Sequence, residues 1–268
     1  MTGFFQLRER GTSIRTEVVA GLTTFAAMAY VLAVHPTILS ATGMDRAELV
    51  TVTALAAGTM SMLMGLMSNY PIAVAPQMGT NAFFAYGICL GMGIPWQGAL
   101  GLVFYSGLLF IGVSVTGLRQ KVINLFPLHL KAAMSVGIGL FIMGVGLKMT
   151  GLLAGQPAPV FIGLGSVASW SSGLVFAGLV LAIALIVRRV PGAILISMIL
   201  VTVAGLFLPG AEGEPITRRP EAIVGSPAGL GSLWLALDLG YLWRNFGSAF
   251  PVVMTLVFID FFSSAAAI

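Results

Sequence analysis

The amino-acid sequence predicts an all-α protein that crosses a membrane many times. Three observations carry that prediction. Hydrophobic residues make up 58% of the 268, with 34 glycines besides. Charged residues make up only 8%, against about 25% in an ordinary soluble domain. Apolar runs of bilayer-spanning length recur along the whole chain. So few charges cannot coat a water-facing surface around a core of this size. A soluble enzyme, a disulfide-stapled secreted domain, a disordered chain and a nucleic-acid binder are excluded on that ground. The single cysteine, Cys89, lies in an apolar stretch and permits neither an intrachain disulfide nor a thiolate metal cluster.

A helix needs about 20 mostly apolar residues to cross the hydrocarbon layer. Eight segments meet that requirement: 18–40, 49–68, 71–92, 97–118, 132–153, 172–188, 190–208 and 248–268. Arg8, Arg10 and Arg15 precede the first, but that run is longer than a signal-peptide core and similar runs follow, so it reads as an uncleaved span. The formal charge of +4 is accounted for by loop orientation. With a cytoplasmic N-terminus, Arg8, Arg10, Arg15, Arg119, Lys121, Lys131, Arg188 and Arg189 all fall inside. The short outer loops then hold only Arg46 and Lys148. The connection 209–247 adds Arg218, Arg219 and Arg244 outside, where long loops follow the rule less strictly. It is rich in Pro and Gly, and its stretch Leu230 to Phe246 carries Trp234, Tyr241 and Trp243 among apolar residues, suited to lying flat at the interface. In the second span Ala54, Gly58, Ser61 and Gly65 form a stripe that lets helices approach closely.

The third segment is expected to be broken. Pro71, Pro76 and Gly79 interrupt its first half, and proline removes a backbone donor and clashes with the preceding turn. A short extended piece leading into a helix near Thr80 or Asn81 fits this pattern. Non-helical backbone at membrane depth is tolerated only where protein covers it or it lines a cavity. Transporters place such breaks at substrate sites, with half-helix N–H groups facing the ligand. The Asn81 amide offers donors and an acceptor, as a heterocycle with alternating N–H and C=O groups requires; a helix cap or an interhelical bond is the plainer alternative. Asp260 is the one carboxylate inside a predicted span, a placement that costs about 2.5–3.5 kcal/mol on insertion scales and usually marks an ion, proton or substrate path; a neutral, protonated Asp bonded to a neighbouring helix is the plainer alternative. His35 reads as an interface residue or a satisfied hydrogen-bond partner, and Thr23 and Thr24 as bonded to their own helix, although hydroxyls in a broken-helix bundle can also line a site.

These residues resemble a known family. Gly21-Leu22-Thr23-Thr24-Phe25 with Met28-Ala29-Tyr30, the run Ala75 to Tyr86, Leu90-Gly91-Met92-Gly93, Thr116-Gly117-Leu118-Arg119 and Gly137 to Phe141 with Gly146-Leu147-Lys148 are similar to the AzgA-like purine-permease branch of the nucleobase:cation symporter family. The resemblance covers nearly the whole chain. It implies fourteen spans in two inverted repeats of seven, of which this sequence holds the first repeat and one helix of the second. It divides the chain into a cytoplasmic segment 1–17, core-domain spans 18–118, gate-domain spans 132–208, the outer connection 209–247 and an eighth span 248–268. It implies uptake of purine bases with protons across the cell membrane, no cofactor and no metal. It assigns substrate binding to Asn81 with Thr80, Ala82 and Phe83, and to Asp260 and Ser263, with Asp260 also coupling the proton. In the family's eighth-span pattern D-x-F-D-T-x-G-T, Asp260 matches the first acid, Ser263 stands at the second, and Ala266 and Ala267 replace Gly and Thr. The family's tenth span, which completes the site, is not in the sequence, so transport by this chain alone is expected to be impaired.

Two further readings stay open beside the permease: a non-transporting membrane subunit or remnant, and an anion carrier on the same architecture. Association as a homodimer also stays open. An intramembrane enzyme would need a nucleophile beside a base, and neither His35 nor Asp260 with Ser263 supplies that arrangement.

Overall fold

The computed structural model describes residue 7 and residues 11–69, 72–117, 127–154, 163–164, 169–210, 214–217 and 226–266. Among the described residues the regular structure is helical, apart from one antiparallel pair of two-residue strands, β1 (Leu153–Ala154) and β2 (Gly163–Leu164), and an isolated bridge between Pro209 and Pro215. Each of the eight expected segments contains helix. Among the described residues, four helical runs are long and apolar enough to cross a membrane: Ile14–Ser40, Arg46–Ser68, Trp96–Val115 and Trp170–Val187. Their flanks expose large apolar side chains such as Leu22, Met67, Ile111 and Val187, as lipid-facing helices do.

The first run is not one continuous rod. α1 (Ile14–Met28) starts where the Ser13 hydroxyl accepts the Thr16 N–H at 3.2 Å. Thr23 and Thr24 each donate to the carbonyl four residues back, at 2.8 and 2.9 Å, as the sequence suggested. At Ala29 and Tyr30 the ladder shortens. Leu32 N–H donates to Ala29 O at 3.1 Å and Ala33 N–H to Tyr30 O at 3.0 Å, three residues back instead of four. α2 (Val31–Ser40) follows and contains Pro36, which brings no N–H and crowds the Leu32 carbonyl. α3 (Arg46–Ser68) begins at Asp45, whose Oδ1 accepts the Glu48 N–H at 2.8 Å.

The third segment is broken as expected, slightly earlier than predicted. Residues 72–77 have no regular structure, and helix begins with α4 (Met78–Ala82). It then widens into a π-helix, π1 (Phe83–Gly91), which hydrophobic periodicity had not indicated. α5 (Trp96–Val115), α6 (Leu128–Met149), α7 (Trp170–Val187) and α8 (Ala193–Gly205) come next. In the long connection, described helix is limited to α9 (Tyr241–Arg244), and α10 (Phe246–Ala266) covers the segment expected to be the eighth span.

The chain divides into two compact units. The first comprises Met1–Pro36, Val50–Pro76 and Lys148–Ala228. Its helices α7 and α8 form a hairpin, and α1 packs on α8. Ser197 Oγ donates to Gly178 O at 3.0 Å across that hairpin, the kind of small-residue polar contact that joins helices in lipid. The second unit comprises Thr37–Leu49, Gln77–Leu147 and Gly229–Ile268. There α10 packs on α5 and α4, and α5 packs on π1. Its core holds Ile88, Leu102, Val253 and Leu256, all fully buried, and an edge-to-face pair, Phe110 with Phe261, at 5.3 Å between centroids.

Candidate functional site

The site is built around the start of α4. Gln77 is its N-cap, extended at φ −79° and ψ 117°, and makes no side-chain cap bond. The first bond of the helix runs from Asn81 N–H to Gln77 O at 3.1 Å, so the N–H groups of Met78, Gly79 and Thr80 have no acceptor within the helix. Thr80 Oγ1 donates to Gln77 Oε1 at 3.1 Å, which gives the turn a side-chain latch. Asn81 lies one residue further in. Its Nδ2 is buried and has no hydrogen-bond partner among the described residues. A buried donor left in that state costs about 1–3 kcal/mol.

The other predicted site residues surround this one unevenly. Ala82 is 1% exposed and belongs to the core. Phe83 is half-buried, and its ring lies over Gly87, where a Cβ would come within 2.7 Å of it. Asp260 is half-buried on α10, and its carboxylate makes no hydrogen bond or ion pair among the described residues. α10 packs against α4, so the helices that carry Asp260 and Asn81 are neighbours. Ser263 lies within α10, but its side chain falls outside the described residues. No group of His, Cys, Asp and Glu among the described residues could hold a metal. His35 is 8% exposed, and its Nδ1 lies 2.7 Å from Oγ1 of the fully buried Thr53, the satisfied pairing expected for it.

The first unit contains a cavity of about 600 Å³. Its walls are α1, the start of α2, α3 and the extended segment, including Thr24, Phe25, Gly58, Ser61, Gly65 and Ala73. Neither Asn81 nor Asp260 lines it. The stripe of small residues read from the sequence as a packing face therefore borders open space in the described chain: a Cβ built on Gly58 or Gly65 meets nothing within 4 Å. Sequence reasoning missed the part Ser61 plays at this wall. Its hydroxyl bonds Val74 of the extended segment, and the only signal was a hydroxyl in an otherwise apolar stripe.

Residues 15–267 match the model of a permease family, Xan_ur_permease. The chain belongs to this family. It is 40% identical to the guanine/hypoxanthine permease PbuG of Bacillus subtilis over 99% of its own length and 61% of that protein's. It is 39% identical to a putative permease of Methanocaldococcus jannaschii over 97% of this chain and 58% of the relative. It is 36% identical to the adenine permease AdeP of Escherichia coli over 82% of this chain and 49% of the relative. The chain thus spans about three fifths of the length of the first two curated relatives. Permease names on all three, with the helical spans, identify a multi-pass membrane protein and set aside the intramembrane-enzyme reading.

Proposed function

We propose that this chain is a permease polypeptide for purine nucleobases, acting by proton-coupled secondary transport with its N-terminus in the cytoplasm. The observation that carries the reading is the Asn81 amide: a buried donor without a partner among the described residues, inside the first turn of a broken helix. A purine presents ring nitrogens and, in guanine and hypoxanthine, a carbonyl. Such acceptors would satisfy Nδ2, and the free N–H groups of the α4 turn could take further ones. The relatives' names support purines as the cargo, and a break of this kind supports a transport site. Thr80 would hold the turn, Ala82 would let the helix approach its neighbours, and Phe83 would supply an apolar wall. Asp260, with Ser263 one turn on, would face the base from α10, with Asp260 taking up the coupled proton. The larger architecture proposed is the 7+7 inverted repeat, with 18–118 in a core domain and 132–208 in a gate domain.

Binding of radiolabelled hypoxanthine to the purified chain in lipid nanodiscs tests the proposal. Saturable binding displaced by guanine and adenine, and not by sulfate or succinate, is expected. Displacement by sulfate would point to an anion carrier instead. No saturable purine binding would contradict the proposal.

A further inference from the structure

The extended segment before α4 presents a problem of backbone chemistry. Residues 72–77 form neither helix nor sheet, so their N–H and C=O groups need partners from elsewhere wherever water is excluded. Val74 stands in the middle of this stretch and has both groups paired by one side chain. Ser61 Oγ accepts the Val74 N–H at 2.9 Å and donates to the Val74 carbonyl at 3.2 Å. A hydroxyl is the smallest group that can donate and accept at once. Ser61 sits well inside the 23-residue α3, away from either end, where lipid-exposed backbone has no water to turn to.

We propose that Ser61 is a positioning residue for the substrate site. By capping both backbone groups of Val74, it holds the segment in its non-helical form and fixes the covalent lead-in to the helix that carries Asn81. This rests on the reading of Asn81 as a purine contact. Ser61 need not touch substrate to act in this way. Alanine can make neither bond. Threonine can make both, and its extra methyl has room because Ser61 borders the 600 Å³ cavity. Cysteine keeps the geometry with a weaker donor and acceptor.

Two readouts on the full chain in nanodiscs test this: hydrogen exchange at the Val74 amide and the Kd for hypoxanthine, for wild type, Ser61→Ala, Ser61→Thr and Ser61→Cys. Ser61→Ala should speed Val74 exchange about tenfold or more and raise Kd about tenfold. Ser61→Thr should stay within about twofold of wild type in both, with Ser61→Cys between. If Ser61→Ala does not fold, the Thr and Cys variants carry the comparison. Wild-type exchange in Ser61→Ala would overturn the proposal, as would faster exchange with an unchanged Kd. A wild-type chain that binds no hypoxanthine would overturn the purine reading and the substrate half of this proposal, while the exchange readout still decides whether Ser61 fixes the segment.

Discussion

Three side chains show how differently a polar group behaves in this apolar chain. His35 is paired with Thr53 at 2.7 Å where both are buried, which makes it a structural contact. Thr53→Val removes that partner of the imidazole and should cost about 1–3 kcal/mol, read as a lower Tm with purine affinity unchanged. Asn81 is the reverse case, a buried donor that no described residue satisfies. Asp260 is half-buried and without an ion-pair partner among the described residues. If it carries the coupled proton, Asp260→Asn should flatten the dependence of hypoxanthine affinity on pH between mildly acidic and neutral buffer. A slope equal to wild type would place coupling elsewhere. Asn81 and Asp260 stood out in the sequence because polar residues are rare in it. A satisfied His35 was among the readings the sequence allowed, but its partner Thr53 was not legible there, since the two meet only through the tertiary fold.

The elements divide along the same line. The break before α4 was legible because it follows from local chemistry: Pro71 and Pro76, five residues apart, disfavour a continuous helix there, whereas Gly79 is taken into α4 and the lone Pro36 into α2. The π-helix after it and the Ser61–Val74 bracket were not, because neither leaves a periodic mark in the sequence. The outer connection is a further case. Its turn at 231–235 is held by Glu48, whose carboxylate accepts the Ser232 hydroxyl at 2.7 Å, the Ser232 N–H at 3.0 Å and the Leu233 N–H at 3.2 Å. The strand of chain that follows lies on α5. Asp238 N–H donates to Gln97 O at 2.9 Å, Tyr105 Oη donates to Leu239 O at 3.1 Å, and Trp243 Nε1 donates to Tyr105 Oη at 3.1 Å. Gly101 permits this approach, because a Cβ there would collide with the Asp238 carbonyl. Gly101→Ala should therefore lift the connection and cost about 1–3 kcal/mol, measured by thermal melting. Glu48→Ala should speed maleimide labelling of a Gly229→Cys reporter about tenfold. Unchanged labelling would mean that Glu48 does not hold the turn.

For the molecule as a whole, composition alone settled the membrane, because 8% charge cannot solubilise so apolar a chain. The division into Met1–Pro36, Val50–Pro76 and Lys148–Ala228 against the remaining segments was not readable, because it interleaves pieces that are distant in sequence. The proposed orientation makes a clear prediction. With the buried Cys89 replaced by alanine, an Ala41→Cys reporter should react with a membrane-impermeant maleimide in intact cells, and Thr116→Cys only after permeabilisation; the opposite pattern would invert the topology. The central claim is that the break around Asn81 forms part of a purine site. The Kd for hypoxanthine of Asn81→Ala relative to wild type, in nanodiscs, tests it most directly. Loss of one buried hydrogen bond of about 1–3 kcal/mol predicts a rise of roughly five- to 150-fold, with thermal stability equal to or above wild type because an unsatisfied donor is removed. Wild-type affinity in Asn81→Ala would contradict the account.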